Sequence, residues 1–183
     1  MNTYKLELAG LKRDLPIIDI SDDLSIASFV LLGDTEMTEK AASKLDELIP
    51  KVDVFISAEA KGIPLVYELS KLRNIKRYVV CRKSIKTYMT DSIGVSVNSI
   101  TTKDEQNLYL NGDDIELIKD KDVCILDDVI STGESIKAIE ELVIKAGGNI
   151  KSKAAILAEG DASERDDIIF FESLPINPKK INI

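Results

Sequence analysis

The chain has 183 residues, of which 44% are apolar and 31% charged, and its formal net charge is −8. This length fits one compact domain with its own core, and the acidic balance argues against a broad nucleic-acid interface, which needs cations facing phosphates. The sequence contains no histidine, so nucleophiles activated by His, His general bases and imidazole metal ligands are excluded.

No long apolar run is present. The first 25 residues carry charged side chains throughout, and no apolar stretch approaches the ~20 residues of a membrane span, so we expect neither a signal peptide nor a membrane segment. Cys81 and Cys124 fall in predicted strands, which favours two buried free thiols over a disulfide or a metal pair. We therefore expect a cytoplasmic protein.

In chain order, the first 34 residues are predicted to form a small cap, and short β-branched runs then alternate with helical patterns. This rhythm is typical of a parallel sheet covered by helices. The predicted helices span residues 35–48, with Thr35 as a cap-like residue, 63–72 and 135–146. The predicted strands span residues 52–57, 76–81, 122–127, 151–158 and, as a plausible fifth, 168–171.

The alternation of predicted strands and helices is interrupted between Cys81 and Lys121. Two alternating stretches, residues 93–100 and 107–110, flank a polar segment and predict an antiparallel excursion over residues 84–110. A long insertion in a compact domain is often a lid. No repeat or interdomain linker is visible, so we expect a single domain over residues 1–183.

The stretch VCILDDVISTGES, residues 123–135, carries the chemistry. An apolar strand ends in two carboxylates and is followed by a small-residue loop that opens a helix. Ligands of an open parallel sheet bind outside the carboxyl ends of its strands, and N–H groups, hydroxyls and a glycine at a helix N-terminus form an anion pocket. Acids beside a phosphate pocket suit a ligand that also carries hydroxyls, such as a phosphorylated ribose.

This stretch resembles, at every position, the 5-phosphoribosyl-1-pyrophosphate signature of the type I phosphoribosyltransferases. The resemblance implies an α/β fold with a mostly parallel central sheet flanked by helices, a flexible β-hairpin loop and an N-terminal hood over residues 1–34. It also implies that the acidic pair binds the ribose hydroxyls and that residues 130–135 hold the 5-phosphate. The expected ribose 5-phosphate site is Asp127, Asp128, Val129, Ile130, Ser131, Thr132, Gly133, Glu134 and Ser135.

Two further segments resemble the family. FISAEAKGIPL, residues 55–65, is similar to the pyrophosphate loop of adenine and xanthine members, where a strained or cis non-proline peptide is common, here expected within residues 58–61. CRKSIK, residues 81–86, adds cations at the same end of the sheet. The implied pyrophosphate site is Glu59, Ala60, Lys61, Gly62, Arg82, Lys83 and Lys86, and the implied catalytic residues are Asp127, Asp128, Lys61 and Arg82. Mg²⁺ is expected to arrive with the pyrophosphate, without direct protein ligands.

The base site is sought in SDDLSIASFVLLGD, residues 21–34, which resembles the purine-facing segment of xanthine-type relatives. The resemblance implies base contacts from Phe29, Val30 and Leu31, with Phe29 stacked on the ring, although core positions for these side chains are an equal alternative. Leucines where those relatives carry polar groups favour adenine. The Glu-Tyr-Gly triplet of adenine enzymes is missing, and Glu105 is a possible substitute.

The implied reaction joins a purine to 5-phosphoribosyl-1-pyrophosphate and releases pyrophosphate, as in purine salvage. Adenine, giving AMP, is the preferred base, and xanthine, hypoxanthine or guanine is the alternative. A non-catalytic sensor related to the purine repressors ranks lower, because those proteins carry an additional DNA-binding domain and this chain is acidic. A homodimer is implied by family analogy, and no nucleic-acid or membrane partner is expected.

Overall fold

The computed structural model describes residues 2–97 and 106–177 of the chain. The elements in chain order are β1 (Thr3–Leu8), β2 (Leu11–Asp19), β3 (Ser25–Ala27), α1 (Thr35–Leu48), β4 (Val54–Ala58), α2 (Ile63–Leu72), β5 (Val79–Cys81), β6 (Ile93–Val97), β7 (Gln106–Leu110), α3 (Gly112–Ile118), β8 (Asp122–Ile130), α4 (Glu134–Lys145), β9 (Asn149–Glu159), a 3-10 helix (Gly160–Glu164) and β10 (Glu172–Leu174).

A five-stranded parallel sheet in the order β10-β9-β8-β4-β5 forms the centre of the protein. The residues of β8 from Val123 to Leu126 are all buried, because both faces of a parallel sheet are covered. The predicted α/β class and the four main strands are therefore confirmed. The strand β8 continues to Ile130, three residues past its predicted end, so Asp127 and Asp128 lie in the carboxyl-terminal half of a central strand.

Helices cover the sheet on both faces and form two core clusters. One cluster includes side chains of α1, α2 and the first 31 residues, and the other includes α3, α4, β6 and β7. The predicted bounds of α1 and α2 agree with the structure, and α4 begins one residue earlier than predicted. The cap of α1 is Asp34 rather than Thr35, since Asp34 Oδ1 accepts a hydrogen bond from the Met37 N–H at 3.0 Å.

The predicted cap over the first 34 residues is an antiparallel sheet in the order β1-β2-β3, here called the hood. Its β1–β2 hairpin turns through Ala9 and Gly10, which both have positive φ, as a two-residue hairpin requires. The strands were not recognised in the sequence because β1 and β2 carry several charged residues and β2 contains Pro16, a residue that is rare within strands.

One predicted strand needs correction, and one helix was not predicted. The fifth strand is β10, not residues 168–171. In that segment only Ile169 forms a bridge, to Ala154, and regular pairing with β9 begins at Glu172. Residues 112–118 form α3, which was not predicted. Among the described residues, no helix is long and apolar enough to cross a membrane.

The predicted antiparallel excursion is confirmed where the structure describes it. β6 and β7 pair from Ile93 with Leu110 to Val97 with Gln106. Arg82, just after β5, pairs with Tyr109 through two backbone hydrogen bonds of 2.8 and 2.9 Å. The hairpin is thereby held beside the end of β5. Residues 98–105, including Glu105, lie outside the described residues.

Candidate functional site

A cavity of about 440 Å³ opens at the carboxyl edge of the parallel sheet. It is lined by residues from β4 and the loop after it, the loop after β5, β7, β8 and the start of α4: Ala58, Glu59, Ala60, Lys61, Lys83, Asn107, Leu108, Asp127, Asp128, Val129 and Ser135. A smaller space of about 40 Å³ lies against residues 129–133 and 135–136, together with Asp127. Residues far apart in sequence therefore meet at the edge where α/β proteins bind ligands.

Asp127 and Asp128 form an acidic pair at the wall of the larger cavity. Asp128 is 1% exposed, and its Oδ2 lies 3.2 Å from Lys61 Nζ. This contact is an ion pair without good hydrogen-bond alignment, so both Asp128 oxygens keep unused acceptor capacity among the described residues. Burial, and then the charge of Asp128, raises the pKa of Asp127 to about 7. The pair can accept hydrogen bonds from a ligand's hydroxyl groups.

The loop from Ser131 to Gly133 leads from β8 into α4. Gly133 has φ of +77° and precedes the helix, which begins without a side-chain cap on its N-terminus. The N-terminal end of a helix attracts anions through its unpaired N–H groups and its dipole. Because the small space described above lies against this loop, the local geometry suits one small anion.

The loop after β4 lies against the acidic pair. Its Glu59–Ala60 peptide bond is cis, within the segment predicted to hold such a bond. The Glu59 carboxylate accepts hydrogen bonds from the Lys83 N–H at 2.9 Å and from Arg82 Nη1 at 3.0 Å. The Lys83 N–H, with the charges of Lys86 and Arg82, holds the pKa of Glu59 below its usual value. Glu59 thus acts as a brace between two loops.

The predicted pyrophosphate residues do not all reach the cavity. Glu59, Ala60, Lys61 and Lys83 line it, and Gly62 packs behind them. Arg82 instead donates from Nη2 to the Tyr88 hydroxyl at 2.6 Å and borders a separate cavity of about 230 Å³. Lys86 Nζ donates to Ser84 Oγ at 2.7 Å. The structure therefore brings the first group together with the acidic pair and leaves Arg82 and Lys86 outside the lining.

The predicted base contacts follow the alternation of an extended chain. Phe29 and Leu31 are 6% and 0% exposed within the core cluster of the hood and α1, whereas Val30 and Leu32 are about half exposed. Successive side chains of an extended segment point to opposite sides, which explains the pattern. Phe29 and Leu31 are thus core residues in this structure, as the alternative interpretation held, and Val30 alone of the predicted three is exposed.

Sequence reasoning missed Asn107 and Leu108, which line the cavity from β7. The alternating pattern of β7 was visible, but the pairing between Arg82 and Tyr109 that brings β7 to the strand ends was not. Among the described residues, no group of three or more acidic or Cys side chains could hold a metal ion.

Comparison with known proteins gives a consistent family. A model of the phosphoribosyl transferase domain matches residues 34–182. The sequence is similar to the hypoxanthine/guanine phosphoribosyltransferase of Methanococcus vannielii, with 35% identity over 136 residues, covering 74% of this chain and 69% of that protein. It is also similar to the hypoxanthine/guanine phosphoribosyltransferase of Methanothermococcus okinawensis, with 32% identity over 140 residues, covering 76% of this chain and 72% of that protein.

Solved structures agree on the fold. Adenine phosphoribosyltransferase from Thermoanaerobacter pseudethanolicus superposes with a TM-score of 0.67 at 18% identity, covering 94% of this chain and 95% of that one. Adenine phosphoribosyltransferase from Saccharomyces cerevisiae superposes with a TM-score of 0.69 at 18% identity, covering 86% of this chain and 93% of that one. At this level of identity the likeness concerns the fold alone.

Proposed function

Because the chain belongs to the phosphoribosyltransferase family, we propose that it transfers the 5-phosphoribosyl group of 5-phosphoribosyl-1-pyrophosphate to a purine base and releases pyrophosphate. One observation carries this proposal: the acidic pair, the N-terminus of α4 and the loop after β4 border two neighbouring spaces at one edge of the sheet, which share Asp127, Val129 and Ser135 in their linings. A sugar with a phosphate at one end and a pyrophosphate at the other requires such a set of groups.

The acidic pair is proposed to bind the ribose. Asp128 is buried and has acceptor capacity left over, and ribose hydroxyl groups donate hydrogen bonds that would use it. The loop of residues 130–135 is proposed to bind the 5-phosphate, because the positive end of the α4 dipole and the turn at Gly133 favour an anion there. This arrangement would fix both ends of the ring.

The pyrophosphate is proposed to lie against Lys61 and Lys83, the two cations that line the larger cavity. Unlike the prediction from sequence, Arg82 is proposed to act through Glu59, whose carboxylate it contacts, rather than on the ligand directly. The donor set fits a Mg²⁺ ion carried by the ligand, because the spare oxygens of Asp128 can accept hydrogen bonds from its water shell. Mg²⁺ would supply neutralisation of the pyrophosphate charge.

In the proposed reaction, a base nitrogen attacks the anomeric carbon while the bond from that carbon to the pyrophosphate oxygen breaks. The electron pair of the broken bond leaves on pyrophosphate, which can take up the proton that the base nitrogen loses, and the ring passes through a state resembling an oxocarbenium ion, as in glycoside cleavage. No covalent nucleophile is required, which suits a chain without histidine. Holding the ring between the acidic pair and the phosphate loop supplies the orientation on which such transfers depend.

We propose hypoxanthine and guanine as the bases, with adenine as the second candidate. The relatives of higher sequence identity are named for hypoxanthine and guanine, whereas those named for adenine share only the fold. The argument for adenine from an apolar hood is weakened because Leu31 is fully buried in the core. A base in the hood would meet Val30 and Leu32 instead.

The experiment that tests the function measures pyrophosphate release with Mg²⁺, the activated sugar and each of adenine, hypoxanthine, guanine and xanthine in turn. We expect the highest kcat/KM with hypoxanthine and guanine. Turnover with adenine alone would favour the second candidate. Tight binding of the activated sugar without turnover of any purine would contradict base transfer and favour a sensor.

The acidic pair and its lysine give a matched test of the site. We expect Asp128→Asn and Lys61→Ala each to lower kcat/KM by about 100-fold, because each removes a charged group at the reacting sugar. Asp122→Asn is the control, since Asp122 is an aspartate at the opposite end of the same strand, paired with Lys151 at 3.8 Å. Equal activity of all three variants would remove the assignment.

The assembly is a separate proposal. We expect a homodimer, by analogy with the family, and light scattering after size-exclusion chromatography measures it directly. A monomer at micromolar concentration would contradict it and would leave the proposed chemistry unchanged.

A further inference from the structure

Arg165 lies against the loop proposed to bind the 5-phosphate, although it is distant from that loop in sequence. It is the residue that follows the 3-10 helix, and its side chain is 32% exposed. A Cβ atom built on Gly133 would lie 2.5 Å from Arg165 Nη1. The guanidinium group therefore occupies the space that the missing side chain of Gly133 leaves open, at the residue immediately before α4.

The guanidinium group uses only part of its hydrogen-bonding capacity. Nε and Nη2 donate to Asp167 Oδ1 and Oδ2 at 2.9 and 2.8 Å, the bidentate geometry typical of an Arg–carboxylate pair. Nη1 takes no part in this pair, and no residue in the described part of the chain accepts a hydrogen bond from it. The unused donor is thus the nitrogen that contacts Gly133.

Asp167 is itself fixed by a partly buried lysine. Lys153 of β9 donates to Asp167 and, at 2.6 Å, to Glu140 of α4, and its side chain is only 14% exposed. The two cations hold the pKa of Asp167 well below its usual value, first through the Arg165 hydrogen bond. Two cations and two carboxylates therefore connect α4, β9 and residues 165–167. Together they hold the Arg165 guanidinium group in one orientation.

We propose that Arg165 is a positioning residue for the 5-phosphate loop. It braces the left-handed turn at Gly133 and places a fixed positive charge beside the bound phosphate. A planar guanidinium held in a bidentate pair loses little further freedom when the anion binds, unlike a mobile surface lysine. The inference deepens the proposed function and rests on it, because it requires the phosphate to bind at residues 130–135.

The test compares binding of ribose 5-phosphate, measured by calorimetry, with steady-state kinetics. We expect Arg165→Ala to weaken ribose 5-phosphate binding by about tenfold and to raise KM for the activated sugar similarly, with kcat and KM for the base changed by less than about twofold. Arg165→Lys keeps the charge but lacks the planar guanidinium group that forms the bidentate pair, so we expect about threefold weaker binding of ribose 5-phosphate. Lys145→Ala, which removes one cation from the far end of α4, should bind like the wild type.

A second variant leaves Arg165 in place. Asp167→Asn removes the carboxylate that orients the guanidinium, and we expect it to weaken ribose 5-phosphate binding by about threefold. Unchanged binding in Arg165→Ala would overturn the proposal. It would also be overturned if Arg165→Ala weakened binding of the sugar phosphate and of the base by the same factor and also lowered the melting temperature. That combination would indicate general destabilisation.

Failure of this proposal can be distinguished from failure of the proposed function. Ribose 5-phosphate lacks both base and pyrophosphate, so its binding is measured without turnover. A wild-type protein that binds it but transfers no base would contradict the function and leave Arg165 testable. A wild-type protein that transfers a base but does not bind ribose 5-phosphate would overturn this proposal and leave the proposed function standing.

Discussion

At the scale of single residues, the proposed site depends on a carboxyl group that the fold holds in an unfavourable environment. Burial and the charge of Asp128 raise the pKa of Asp127 from 3.8 to about 7. The folded protein therefore holds this proton more tightly than the unfolded chain. By linkage, the free energy of unfolding falls as pH rises through the interval between these two values. Stability is thus lower where an ionised carboxylate is available to bind ribose.

We expect Asp127→Asn to raise the free energy of unfolding at pH 8 by about 2 kcal/mol, because asparagine keeps the shape and cannot ionise. The gain should shrink as pH falls towards 4, where the wild-type carboxyl group is protonated in the folded state. Urea unfolding at pH 4, 6 and 8 measures the difference. A difference that does not change with pH would contradict the raised pKa. The same variant should lose activity, since it lacks the charged acceptor.

Gly62 shows how a missing side chain brings two loops together. A Cβ atom at this position would overlap Ser57 Oγ and would lie 3.5 Å from the Asp127 Cα atom. Ser57 is fully buried, so it has little room to move. The close approach of the loop after β4 to the acidic pair therefore depends on glycine.

We expect Gly62→Ala to destabilise the protein by about 1–3 kcal/mol and to lower kcat/KM by at least about tenfold, because overpacking would displace the loop that carries Lys61. Adding Ser57→Ala removes the overlapping oxygen and should recover part of both losses, while Ser57 Cβ still lies 3.2 Å from the new atom. Ser57→Ala alone is the control. If the double variant is no better than Gly62→Ala, steric overlap is not the cause.

Part of the site could be predicted from the sequence because its residues are contiguous. The stretch from Asp127 to Ser135 forms one strand end, one loop and one helix start, so its local geometry follows from its residue types. The orientation of the Arg82 side chain could not be predicted, for the opposite reason. Its direction depends on Glu59 and Tyr88, which lie on other loops, and no pattern in CRKSIK contains that information.

At the scale of elements, Asp34 connects the hood to α1. It caps the helix through the Met37 N–H and receives Arg13 of β2 at 2.7 Å on Oδ2 and 3.0 Å on Oδ1. Arg13, and then the Met37 N–H, holds the pKa of Asp34 below its usual value. This stabilisation is present at neutral pH and is lost as pH falls through the lowered pKa.

We expect Asp34→Ala to lower the free energy of unfolding at pH 7 by about 1–2 kcal/mol, with kcat changed by less than about twofold. The difference from the wild type should become smaller below pH 3. Glu36→Ala is the control, because Glu36 also contacts Arg13 but is 62% exposed, and it should cost less than about 0.5 kcal/mol. Denaturant unfolding measures both, and equal losses would contradict the capping role.

The three longer helices, α1, α2 and α4, were predictable, and several strands were not, for a physical reason. The apolar face of α1 repeats with the helical period, and its buried residues include Met37, Ala41 and Leu45. By contrast, β10 has three residues and is defined by its pairing with β9. A strand that is both this short and mostly polar carries too little signal to be recognised, since its formation depends on a partner elsewhere in the chain.

At the scale of the whole molecule, the hood is completed by a segment far away in sequence. Asn177 Oδ1 accepts from the Ser25 N–H at 2.8 Å, and its own N–H donates to the Ser25 carbonyl at 2.8 Å. Ile176 bridges to Ile26 and lies close to Gly160 at the end of β9. The hood is thereby joined to the edge of the main sheet near the proposed base site.

We expect Asn177→Ala to increase the rate of hydrogen exchange in β3 by about tenfold, because it removes the acceptor of the Ser25 N–H and places alanine at a positive φ. Mass spectrometry of peptides covering residues 25–27 measures this. Asn149→Ala, an exposed asparagine at the start of β9, is the matched control. Exchange in β3 at the wild-type rate would show that Asn177 does not close the hood.

This closure also constrains synthesis on the ribosome. Ser25 and Asn177 are separated by 152 positions. The hood is therefore synthesised before most of the parallel sheet, and β3 has no partner on the side of Asn177 until that sheet has been translated. Contacts of such long range form slowly, and unpaired strand edges favour association between nascent chains. The hood, where the base is proposed to bind, should therefore reach its final structure last during biogenesis, after the loop proposed to bind the 5-phosphate.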